Sequence, residues 1–191
     1  TTTTGVMYLD GDKENSSSAD SANTIAMTDG RTLTAKTLMT LEATTSQITT
    51  VGALSLLAAE GIVLTNSLTS TGAPGTKAMV INSDNDSTGT DGTLSLQASM
   101  TITSNNNAVT ITAWDLVLAT SASLTAGTAA MIIHGAENDQ TIGLGGTSRN
   151  MHIGGDELQR MTAIGLARGG ILSGTATVNG VTKDNSNSIT S

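Results

Sequence analysis

Residues 93–134 read TLSLQASMTITSNNNAVTITAWDLVLATSASLTAGTAAMIIH, and this stretch decides the fold. Short apolar-x-apolar pulses recur in it: Leu94/Leu96, Met100/Ile102, Val109/Ile111, Leu116/Leu118, Leu124 and Met131/Ile133. Such alternation puts one face of a strand inward and the other outward. The pulses return 22 residues later: Leu94/Leu96 at Leu116/Leu118, Ile102 at Leu124, Val109/Ile111 at Met131/Ile133. Thr, Ser, Asn, Ala and Gly fill the intervals. About three short strands per lap of about 22 residues predict an all-β chain, a parallel β-helix or β-solenoid.

Upstream, a longer offset of 69 to 70 residues sets 8–64 against 80–133. Thr24-Ile25-Ala26-Met27 then parallels Thr93-Leu94-Ser95-Leu96, and Thr32-Leu33-Thr34 parallels Thr101-Ile102-Thr103. This predicts two solenoid repeat blocks, 8–78 and 79–182, between flexible or linker segments 1–7 and 183–191. A polar loop opens each block, DGDKENSSSADSAN at 10–23 and NSDNDSTGTDG at 82–92, both expected to stand out from one side. Gly, Asn and Asp suit positive-φ corners. Downstream, 141–146 and 151–153 read as strands, and DELQRM at 156–161 as one short helical turn.

Composition narrows the function classes. Aromatics are 1% of 191 residues, with Tyr8, Trp114 and no Phe, whereas enzyme pockets are commonly lined with aromatics. A narrow core of Leu, Ile, Val, Met and Ala suits stacked laps. The net charge of −8 argues against nucleic acid as a partner. The most apolar run, 54–64, is short and contains Glu60, so no membrane span is expected. The chain begins TTTTGV without an initiator Met and reads as a fragment or processed product.

Candidate sites are few. Asp84-Asn85-Asp86-Ser87-Thr88-Gly89 begins like a calcium loop, with oxygens at alternating positions and Gly at the sixth. Ser95 stands where that loop would need a bidentate Glu. Asp84 and Asp86, with Asp10 and Asp12 in the first loop, are thus candidate calcium ligands; solvated turn carboxylates are the plainer reading. No other cofactor is expected. Asn15-Ser16-Ser17 and Asn85-Asp86-Ser87 are glycosylation sequons on exposed loops, relevant only in a eukaryotic source. His134 and His152 lack metal spacing and read as structural or surface residues. Thr32/Thr34, Ser67/Thr69, Thr101/Thr103 and Ser123/Thr125 flank inward residues and could form a hydroxyl-methyl ladder, as an ice-binding face would need; Thr also simply favours exposed strand positions.

Three motifs carry a resemblance: TIGLGG at 141–146, DELQRMTAIGL at 156–166 and VNGVT at 178–182. Together with the pulses before them they resemble a recurrent unit of very large, filamentous-haemagglutinin-like surface proteins. The run Ala167-Arg168-Gly169-Gly170-Ile171 departs from a regular β pulse. The resemblance implies a right-handed parallel β-helix in long extracellular or cell-surface proteins, and it supplies no catalytic residues. The expectation is therefore a non-enzymatic structural or adhesive segment of an extracellular repetitive fibre. Its partners would be copies of itself, adjacent repeats or surface glycans. The alternative is a carbohydrate- or calcium-dependent binding module, or a polysaccharide-acting enzyme on the same fold.

Overall fold

The computed structural model describes residues 5–11, 23–168 and 175–190. The described chain is nearly all β. In chain order the strands are β1 (Met7–Asp10), β2 (Ile25–Met27), β3 (Arg31–Thr34), β4 (Leu38–Glu42), β5 (Ile48–Thr50) and β6 (Leu54–Leu57). Then come β7 (Gly61–Leu64), β8 (Leu68–Ser70), β9 (Met79–Asn82), β10 (Thr93–Leu96), β11 (Thr101–Thr103) and β12 (Val109–Ala113). They are followed by β13 (Leu116–Leu118), β14 (Ser123–Thr125), β15 (Met131–Gly135), β16 (Ile142–Gly145) and β17 (Met151–Ile153). The helical turn α1 (Gly155–Leu158) precedes β18 (Met161–Ile164), β19 (Leu166–Arg168), β20 (Ala176–Asn179) and β21 (Ile189–Thr190).

The pairings are parallel. From β4 to β12, each strand pairs with the third before and the third after it, and β13, β14 and β15 each pair with the third before. The first sheet runs β1-β4-β7-β10-β13 and the second β2-β5-β8-β11-β14-β18-β21. The third, named from its other end, runs β19-β15-β12-β9-β6-β3, and a small fourth runs β17-β16-β20. The chain thus visits three sheets in turn and returns to each one circuit later.

The 22-residue pulse is the register of this arrangement. Leu94 lies opposite Leu116, Ile102 opposite Leu124, Val109 opposite Met131 and Ile111 opposite Ile133. Alternation decides what faces inward: in β12, Val109, Ile111 and Ala113 are buried while Thr110 and Thr112 are half-exposed. Like stacks on like, so Leu56, Ile81, Ile111 and Ile133 form one buried column. Burying each such side chain stabilises by about 1.5–3 kcal/mol, which is how a core with little aromatic area holds.

The 69-residue offset behaves differently. It moves β2, in the second sheet, onto β10, in the first, and β4, in the first, onto β12, in the third. Such copies are eight strands apart, and eight is not a multiple of three. The offset is a likeness of strands, not of places. All three sheets run through residue 78 without a break, since β7 pairs with β10, β8 with β11, and β9 with both β6 and β12.

Beyond β15 the pattern changes. Two strands, β16 and β17, follow where one would close the circuit, and they pair with each other. The helical turn is shorter than the sequence suggests: it spans Gly155–Leu158 with Gly154 at its N-cap, and Met161 already belongs to β18. Residues 183–190 are not a trailing linker. Asn185 accepts from the Thr182 N–H (2.7 Å) and donates to Gly180 O (3.2 Å), and β21 then pairs with β18. Ile171 falls outside the described residues.

Candidate functional site

The corner where the chain leaves the third sheet for the first holds the acidic loop. β9 leads into it, and the loop folds back on itself. Ser83 Oγ donates to Gly92 O (2.7 Å), and Ser83 N–H donates to Thr112 O (2.9 Å). This draws Asp84 inward. The loop therefore does not simply stand out, and Asp84 is not the solvated carboxylate its setting suggests: it is 0% exposed. Gly92, at φ +79°, makes room for it; a Cβ there would come within 2.3 Å of Asp84 Cβ. Neither Asp84 Oδ1 nor Oδ2 has a hydrogen-bond partner.

Burial pushes the Asp84 carboxyl up to about 6. The Thr88 amide opposes the rise without reaching ordinary hydrogen-bond geometry, and the charges of Asp86, Glu137 and Asp91 add to it. Asp86 and Asn85 are exposed. Asp12 and Asn15 lie outside the described residues.

Glu137 belongs to the loop after β15, two strands beyond β9 in the third sheet. Its Oε1 is also buried without a partner. Gln140 holds that loop: Oε1 accepts from the Ala136 and Glu137 N–H groups, and Nε2 donates to Ala113 O and Trp114 O. Trp114 N–H donates in turn to Gly92 O (3.1 Å). The short corner at Trp114 therefore sits between the loop of Asp84 and the loop of Glu137. Glu137 escaped the sequence reading because GAENDQ looks like an ordinary turn; its acid-amide run, akin to NSDND, was the available signal.

Asp10 and Asp84 do not come together. Asp10 closes β1 and lies opposite Glu42 of β4. Glu42 is buried, and burial, then the charge of Asp10, raises its carboxyl above the usual range. Tyr8 hydroxyl donates to Glu42 Oε2 (3.4 Å) and Thr44 hydroxyl to Glu42 Oε1. Glu42 was missed because its neighbour in space lies in another strand. Among the described residues, no three His, Cys, Asp or Glu side chains gather as a metal-holding group.

His152 is half-buried, its Nε2 2.8 Å from Gly145 O, and His134 sits half-exposed at the end of β15 opposite Thr112. The threonines divide. Thr49, Thr69, Thr103, Thr125 and Thr162 lie in register along the second sheet. Thr32 and Thr34 belong to the third sheet, so they do not join that column.

The DELQRM segment covers the edge of β13. Glu157 Oε1 accepts from Leu118 N–H (3.0 Å), and Arg160 donates to Leu118 O and Ala122 O (2.7 and 2.8 Å). The bonds to Leu118 satisfy backbone groups that the next strand of the first sheet would have met, and the bond to Ala122 ties the segment to the turn before β14. No helix of the described residues is long and apolar enough to cross a membrane. The chain matches no protein-family model, no curated protein and no solved structure.

Proposed function

We propose that the chain is a parallel β-helix segment of an extracellular or cell-surface fibre, with a structural or adhesive role. The observation that carries this reading is the strand order by threes: β1-β4-β7-β10-β13 in one sheet, with the other two sheets advancing in step. An array built this way contacts only its neighbours, so it lengthens without redesign of the core. Circuits spaced by about 4.8 Å then build a rod. The resemblance to filamentous-haemagglutinin-like surface proteins supports the same role and the same location.

The ends support assembly. β1, β2 and β3 each pair on one side only among the described residues. A strand edge paired on one side only is a template for another parallel strand. The natural partners are adjacent repeats of the same polypeptide or further copies of it. The role is mechanical continuity along the rod and display along its sides, not catalysis.

Electron microscopy of the purified chain over a concentration series tests this. Rods that lengthen with concentration are expected. Short particles of one length at every concentration would contradict end-to-end assembly.

A further inference from the structure

Native folds rarely bury a charged oxygen without a partner, and each such group calls for a physical account. Three occur at one corner: Asp84 Oδ1, Asp84 Oδ2 and Glu137 Oε1. They come from two loops separated along the third sheet by the single corner at Trp114. Asp86 and Asp91, both exposed, add negative charge around Asp84. Two loops are held against one corner, by Ser83 on one side and Gln140 on the other, and each carries buried carboxylate oxygens that no donor meets.

We propose that this corner binds a hard divalent cation, calcium by preference, with Asp84 as the buried anchor and Glu137 as the ligand from the neighbouring loop. A cation supplies what these oxygens lack. The donors are all oxygen, which suits calcium and disfavours the softer metals that seek His or Cys. Calcium takes 6–8 oxygen ligands in flexible geometry, so backbone carbonyls and water complete a shell that two carboxylates begin. The sequence already carries oxygens at alternating positions from Asp84; the buried, unpartnered state of Asp84 and the second loop's Glu137 are what the fold adds. A bound ion would tie two loops across the intervening corner and stiffen the rod there.

The chain has one tryptophan, Trp114, placed between the two loops. The test is terbium luminescence on the full chain, excited through that indole. Saturable emission that calcium displaces is expected, and calcium should raise the melting temperature of the native chain. Asp84→Asn and Glu137→Gln should each weaken terbium binding at least tenfold, and Asp84→Asn should abolish the calcium shift. Asp84→Asn melting cooperatively in chelator, at or above the native temperature, shows that it folds. Absence of sensitised emission would overturn the proposal and leave the buried oxygens to water. Equal emission from the Asp84→Asn/Glu137→Gln double variant would overturn it too, by placing the ion elsewhere.

Discussion

Two corners of this molecule bury polar side chains, and they do so in opposite ways. At the corner after β11, Ser104 and Asn107 are both 0% exposed and fully engaged. Asn107 Oδ1 accepts from the Thr76 and Lys77 N–H groups (3.0 and 2.8 Å), and its Nδ2 donates to Ser104 O and Asn105 O. Ser104 Oγ donates to Asn107 O (2.5 Å). At the corner after β9, Asp84 is buried to the same degree with both oxygens unmet. An amide carries donors and an acceptor and can knit two circuits by itself; a carboxylate only accepts, and where no N–H or O–H of the chain meets it, it needs something from outside the chain. The first corner is a structural joint. The second is where the chain is incomplete without a ligand or a proton.

The largest effect should come from breaking the joint. Asn107→Ala leaves the Thr76 and Lys77 N–H groups without their acceptor, and urea unfolding should show a loss of about 3 kcal/mol or more. Next is Gly92→Ala. It forces a side chain into a left-handed backbone and against Asp84, so the same assay should show a loss of about 2 kcal/mol.

Asp84→Asn should act with the opposite sign in chelator. A carboxyl at about 6 when folded, against an ordinary value of 3.8, holds its proton more tightly in the folded state. Stability from this group therefore falls as pH rises from about 4 to about 6, and stays lower above that window. The variant removes that slope: melts should match the native chain near pH 3.5 and exceed it above pH 6.5 by about 1–2 kcal/mol. The smallest effect belongs to Lys77, which touches both themes. Its backbone N–H binds Asn107, but its ammonium pairs with Asp29 at a partly exposed site, so Lys77→Ala should change stability by at most about 0.5 kcal/mol.

Much of the strand layout was legible, because period-2 alternation and the 22-residue return depend on local chain length between corners. Leu94/Leu116 and Ile111/Ile133 could be paired by counting. The 69-residue offset misled because strands of similar composition serve all three sheets; sequence likeness does not say which face a strand joins. The last circuits were harder to read. Glu157 and Arg160 looked like ordinary helix-turn charges, and only their reach across about forty residues to Leu118 reveals their work on the β13 edge. Of the acidic site, Asp84 and Asp86 were visible as a motif. The burial of Asp84 and the approach of Glu137 were not, since both follow from circuits stacking across the corner at Trp114.

Disulfide mapping tests the stacking most directly, because the chain has no cysteine to confuse it. Adjacent parallel strands hold opposite residues at roughly 5 Å, within disulfide range. Thr103 lies opposite Thr125, one circuit on, whereas the 69-residue likeness would match it with Thr34. On mild oxidation, the pair Thr103→Cys/Thr125→Cys should cross-link nearly completely and Thr34→Cys/Thr103→Cys should stay reduced. Cross-linking of the second pair in place of the first would contradict the register by threes, and with it the proposed rod.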